Sequence, residues 1–236
     1  MNKISKWRTL LLISASLLFL PSYSNADYYK SYDDLKEHEL LNEDYEINYK
    51  QRNSVISVIA IHGGGIEPGT SEVAKGLANQ IDYSYYLFEG IKPTNNKILH
   101  LNSLRFDEPI GRSMAENSVS ALSIHGYQGI EPIIYLGGRN REYKEMIRYS
   151  LQKRGFQVED APADIAGTSK KNIVNDNQLK AGAQLELTEE LRKSFFKNND
   201  WSRKNRENTT AIYDKFIEGL KEASDSYEIK LLLSTP

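Results

Sequence analysis

The sequence predicts an α/β fold in a single domain. Short β-branched apolar runs alternate with longer amphipathic stretches, the pattern of strands interleaved with helices. Once an N-terminal leader is set aside, about 210 residues remain, enough for one well-buried core and short for two enzyme domains. No internal repeat or long low-complexity tract divides them.

The leader is read in residues 1–26. Lys3, Lys6 and Arg8 precede the apolar run from Leu10 to Leu20, which is shorter than the roughly 20 residues a membrane span needs. Pro21 and Ser24-Asn25-Ala26 supply a small-residue cleavage site, so the mature chain is expected to begin near Asp27, exported and without a membrane span. The chain has no cysteine, so an exported protein must hold itself together by packing and a bound ion. Its 30 basic and 32 acidic residues, with no long basic block, exclude nucleic acid as a partner.

The central strand is Val55-Ile56-Ser57-Val58-Ile59-Ala60-Ile61, a nearly continuous apolar run that ends at His62. After a glycine loop, Thr70 or Ser71 caps a helix whose Val73, Leu77 and Ala78 share a face. Further strands are expected at 84–88, 97–101, 118–124 and 132–136. Residues 141–153 show helical spacing, with Gly155 as the glycine after the C-cap and a strand from Phe156. Alternation in Gln184-Leu185-Glu186-Leu187 places Gln184 and Glu186 on one face, and Thr188 caps the next helix. The asparagine-rich stretch 172–177 reads as an exposed connection. A helix over 209–223 carries Ile212, Phe216, Ile217 and Leu220 as a core stripe.

Of four histidines, His62 and His125 share a context, each ending a strand and preceding glycine. Strand carboxyl ends are where ligands bind in open α/β sheets. A catalytic zinc takes two histidines and a carboxylate and keeps a fourth position for water. Glu67, five residues after His62 across three glycines, is the natural carboxylate, and Glu186 is the candidate base. Each has a plainer reading: a histidine with its hydrogen bonds satisfied at a strand end, or a glutamate facing solvent from an edge strand. His38 and His100 read as surface and packing residues. His62-Gly63-Gly64-Gly65 also matches an esterase oxyanion loop, but no Gly-x-Ser-x-Gly elbow accompanies it. A dinucleotide loop fails where Pro68 stands in place of its third glycine.

Five motifs occur in order: His62-Gly-Gly-Gly-Ile-Glu67-Pro-Gly-Thr, Phe106-Asp107-Glu108-Pro109, Ser123-Ile124-His125-Gly126-Tyr127, Leu136-Gly137-Gly138 and Gln184-Leu185-Glu186-Leu187. Together, from about Tyr32 to Phe196, they resemble the phage-type poly-γ-glutamate hydrolases. The resemblance implies a zinc carboxypeptidase-like fold, a mixed central sheet flanked by helices, over residues 27–236. The motif-bearing core would span about 32–196, and 197–236 would form a C-terminal helical extension. It implies Zn²⁺ on His62, Glu67 and His125 with Glu186 as general base, acting on poly-γ-glutamate or a related γ-glutamyl polymer.

Cutting within the polymer is expected, by a monomer. The alternatives are an amidase for γ-glutamyl links of cell-wall peptides and an exported polymer-binding protein without activity. The substrate's free α-carboxylates call for cations, and Arg139 and Arg105 stand nearest the motifs.

Overall fold

The computed structural model describes residues 27–234, so the expected leader lies outside the described residues. Seven strands form one mixed sheet in the order β1-β3-β2-β4-β7-β5-β6. They are β1 (Tyr45–Lys50), β2 (Ile56–Gly64), β3 (Ser84–Gly90), β4 (Ser120–Tyr127), β5 (Ile133–Gly138), β6 (Gln157–Asp160) and β7 (Ala183–Thr188). The central strands β3, β2, β4 and β7 run parallel, β1 pairs antiparallel with β3, and β5 pairs antiparallel with β7 but parallel with β6. Every residue of β2 and of β7 is buried, as expected of strands covered on both faces.

Helices α2 (Thr70–Gln80), α4 (Arg141–Lys153), α5 (Glu189–Ser194) and α6 (Ala211–Ser234) cover one face. Beneath them lie Val58, Ala60, Leu122, Ile124, Leu185 and Leu187. Helices α1 (Tyr32–Lys36) and α3 (Pro109–Asn117) close the other face over Ile59, Ile61, Tyr86 and Phe88. α4 ends as its glycine requires: Gly155, at φ +83°, donates to Gln152 and Phe156 donates to Leu151, the paired bonds of a Schellman turn.

Several expectations need correction. Residues 97–101 form no strand; Asn96–Leu99 is a 3₁₀ turn entered through Asn95 at φ +60°, and its apolar side chains pack without a strand partner. The stretch 172–177 is not exposed. Asn172, Asn175 and Asn177 are buried, their amides bonded to Ser103 and Gln184, to the carbonyls of Gly167 and Ser169, and to the carbonyl of Val174. Polar composition is the same for a solvated loop and for a buried one that satisfies its own amides.

Neither Thr70 nor Ser71 caps α2. Gly69 does so at φ +100°, while the Thr70 hydroxyl turns back to the carbonyls of His62 and Glu67. Thr188 stands at the start of α5, yet its hydroxyl bridges the Glu131 carbonyl and the Ile133 amide. In α6, Phe216, Ile217 and Leu220 are core but Ile212 is exposed, and the helix runs eleven residues beyond 223 against α4. Tyr143 and Tyr227 stack there at 4.4 Å.

Candidate metal centre

The sheet's own register decides which side chains can meet. On adjacent parallel strands, His125 of β4 is the partner of Glu186 of β7, and Ser123 of Gln184, so all four face one side. On β2, Ile59 lies opposite Ser123. Unbroken alternation would set Ile61 beside His125 and turn His62 to the opposite face. A bulge prevents this: between Ala60↔Leu87 and Gly63↔Glu89, three steps of β2 answer two of β3. The extra residue re-aims His62 toward His125, and Ile61 stays in the core with Ile59. Gly64, at φ +63°, then turns the chain so that Glu67 returns over the strand end, its amide donating to the His62 carbonyl.

Three donors converge as a result. His62 Nδ1 and His125 Nδ1 are 3.1 Å apart, Glu67 Oε1 is 3.1 Å from His62 Nδ1, and Glu67 Oε2 is 3.9 Å from His125 Nδ1. Zinc bonds of about 2.0–2.1 Å in a tetrahedron separate neighbouring donors by about 3.3 Å, so this set fits a small divalent cation. The tautomer fits too. His62 Nε2 donates to the Leu101 carbonyl at 2.8 Å, which leaves the Nδ1 lone pair facing the other donors. These three residues form a group that can hold a metal ion.

The electrostatics favour the ligand forms of Glu67 and His125. At His62 burial would lower the ring's pKa, but the charge and hydrogen bond of Glu67 outweigh it and raise it, so a cation bound at Nδ1 displaces a proton. Burial would raise the Glu67 carboxyl, but the charge and hydrogen bond of His62, then the charge of His125, outweigh it and draw its pKa down to about 2. The Gly126 amide donates to Glu67 Oε2 at 2.7 Å. Burial, then the positive charge of His62, push His125 down to about 3, so its ring is neutral. Burial, then the charge of Glu67, push Glu186 well above the usual carboxylate range, toward the range useful to a general base. Gln184 donates to Glu186 Oε1 at 2.9 Å and fixes its orientation.

Glu186 lines the same cavity of about 350 Å³ as the three donors. Its far wall is the segment Ala163–Ser169, which docks where Gly138 donates to Ala166. His100 belongs here as well, against the expectation of a packing residue in a strand. Its ring stacks on His62 with centroids 3.9 Å apart, and its Nδ1 meets Asp27 Oδ1 at 2.8 Å.

Arg105 does not line the cavity. It binds Asp27 Oδ2 at 2.7 Å, so it braces the carboxylate that holds His100. Arg139 also stands outside, spending its guanidinium on the Thr168 carbonyl of the wall. The motif Phe106-Asp107-Glu108-Pro109 proves structural: Glu108 caps α3 through the amides of Ile110 and Gly111, with Pro109 in the first turn.

The family model for poly-γ-glutamate hydrolase matches residues 29–219. The chain belongs to the poly-γ-glutamate hydrolase family. It is an enzyme with a metal-capable centre, and the match runs past the expected limit near Phe196 into α6. This hydrolase is similar in structure to a bacteriophage poly-γ-glutamate hydrolase, with TM-score 0.84 and 35% identity over 86% of this chain and 98% of that one. It is also similar to the zinc-free apo form of YndL, with TM-score 0.80 and 36% identity over 86% and 100%. Among Bacillus subtilis (strain 168) proteins it is 35% identical to UPF0714 protein YmaC, over 84% of this chain and 88% of that protein. Among the described residues no helix is long and apolar enough to cross a membrane.

Proposed function

We propose that this hydrolase cleaves the γ-glutamyl amide bonds of poly-γ-glutamate within the chain, using zinc held by His62, Glu67 and His125 and Glu186 as general base. The observation that carries the reading is the convergence of three donor atoms from β2, its loop and β4 beside a carboxylate from β7. Zinc is favoured by the His₂Glu donor set and by the similarity to YndL, whose apo form is described as zinc-free. When bound, zinc acidifies its water and polarises the scissile carbonyl. Glu186 takes the proton from the attacking water and delivers it to the amide nitrogen as the carbon–nitrogen bond breaks, giving a carboxylate and an amine. Gln184 keeps the Glu186 carboxyl turned into the cavity meanwhile.

Cleavage inside the polymer is supported by the shape of the site. The 350 Å³ cavity and a second of about 600 Å³ share Glu67, His100, Gly126 and Tyr127, so a cleft continues to both sides of the donors. The larger half carries Lys97, beside an Arg192 whose guanidinium is already given to main-chain carbonyls; the lining of the smaller has no lysine or arginine. The α-carboxylates of the polymer would therefore meet their cations on the Lys97 side, rather than at Arg105 or Arg139. An export leader in residues 1–26 would deliver the enzyme to the polymer outside the cell.

The test is metal analysis of the mature protein together with a polymer-size assay with and without chelator. Chelation should stop a rapid fall in chain length, and added zinc should restore it. Unchanged hydrolysis in chelator would overturn the zinc assignment. Release of products from peptidoglycan with the polymer left intact would overturn the substrate.

A further inference from the structure

We propose that Arg192 is a positioning residue, a three-way clamp on main-chain carbonyls that sets the spacing between the metal ligands and the base. The inference rests on the roles given above to Glu67, His125 and Glu186. Arg192 Nε donates to the carbonyl of Leu187 at 2.9 Å, Nη1 to that of Pro68 at 2.7 Å, and Nη2 to that of Tyr127 at 3.2 Å. Pro68 follows Glu67, Leu187 follows Glu186, and Tyr127 stands two residues after His125. One side chain therefore ties together the chain just beyond each of three site residues, which reach the centre from the loop after β2, from β4 and from β7.

The chemistry suits a guanidinium and little else. Three carbonyl oxygens aimed at one point in a buried place repel one another, and a planar cation with donors in fixed directions both neutralises them and fixes their separation. Arg192 is only 3% exposed and, among the described residues, has no carboxylate partner at salt-bridge distance. Burying a charge in that way is costly, so the three carbonyl bonds are what retain it. The clamp also touches a ligand contact directly. A Cβ on Gly126 would fall 2.6 Å from Arg192 Cζ, so the guanidinium lies flat on the peptide whose amide holds Glu67. Trp201 covers it from the C-terminal region, its ring 5.1 Å from Cζ.

The experiment compares R192A, R192K and R192Q with the unaltered full-length enzyme. It measures zinc affinity by competition with a chromophoric chelator, kcat and KM on the polymer, and melting temperature. R192A is expected to weaken zinc binding by about 10- to 100-fold and to lower kcat by a similar factor, with KM within about twofold. R192K keeps the charge but not the fork and should recover little. Guanidinium ion at low millimolar concentration should partly restore zinc affinity to R192A.

R192K at wild-type zinc affinity and kcat would overturn the clamp, since charge alone would then suffice. So would an R192A enzyme that melts lower but binds zinc and turns over normally. If R192A does not fold, R192Q and R192K decide on the same readouts. Should the unaltered enzyme show no zinc-dependent hydrolysis, the reading of the site fails instead; a zinc-dependent wild type beside an indifferent R192A sinks only the clamp.

Discussion

Gly126→Ala is the most exacting perturbation of this centre, because the obstacle is purely one of space. Gly126 has no left-handed backbone to protect, so an alanine meets no conformational penalty. Its new Cβ would lie 2.6 Å from Arg192 Cζ and 2.9 Å from both Nε and Nη1. Carbon atoms in contact sit about 3.5–4.0 Å apart, so the guanidinium must retreat by roughly 1 Å. That movement stretches donor distances of 2.7, 2.9 and 3.2 Å toward or past the limit of a hydrogen bond.

Losing one or two charge-assisted bonds at about 1.5–3 kcal/mol each, partly recovered by rearrangement, gives a net cost of about 3 kcal/mol. For a domain of this size that lowers the melting temperature by roughly 6–12 °C. Calorimetry on the metal-free protein reads the packing cost, and chelator competition reads the loss of the Gly126 amide to Glu67. The decisive comparison is a double-mutant cycle with Arg192→Ala: in that background the alanine at 126 has nothing to strike and should cost under about 1 kcal/mol. A melting temperature within about 1 °C of wild type for the single variant, or strict additivity in the cycle, would refute the reasoning.

Glu186→Gln should cut kcat by about 10²- to 10⁴-fold while zinc stays bound at near wild-type affinity, checked by single-turnover kinetics beside metal analysis. Burial would raise the Asp27 carboxyl, but the hydrogen bonds from His100 and Arg105 outweigh it and hold its pKa below the ordinary 3.8. A depressed folded value contributes stability above pH 4 that is lost as the pH falls through it, so Asp27→Asn should flatten the acid limb of the stability curve below about pH 4. Coincident limbs in chemical denaturation would contradict that. Zinc at 100 times its dissociation constant should raise the melting temperature by roughly 5–11 °C, from about 2.7 kcal/mol of linkage, and an unshifted thermal scan would argue against a folded-state site.

What could be read in the sequence was whatever side-chain identity alone determines. The apolar run of β2, the helical spacing of α4 and the glycine that ends it each carry their own local signal, and each lies where expected. The family match likewise follows from motif order. Reading failed where structure depends on partners. Lys97–Leu101 alternates like a strand but finds no neighbouring strand, and the asparagines of 172–177 look solvated until their amides are seen to be satisfied inside. His62 sits at a strand end as read, but only a bulge, which no spacing reveals, brings its ring to the same side as His125. Asp27, His100 and Arg192 were missed as members of the site's surroundings because each acts on a residue distant in sequence.

A common physical reason underlies those misses. The groups that hold the donors in place are largely main-chain: the Leu101 carbonyl on His62, the Gly126 amide on Glu67, and the carbonyls of Pro68, Tyr127 and Leu187 gathered by Arg192. A backbone atom is present whatever residue carries it, so these positions leave no trace in side-chain chemistry. Leu101 and Leu187 should accept other apolar residues at little cost to metal binding, provided the carbonyl keeps its place. Gly126 is the exception twice over: its amide is used, which forbids proline, and its missing Cβ is used, which forbids everything else. Of the glycines that follow the two strand-end histidines, it is the one that bears directly on both a candidate metal ligand and the proposed clamp.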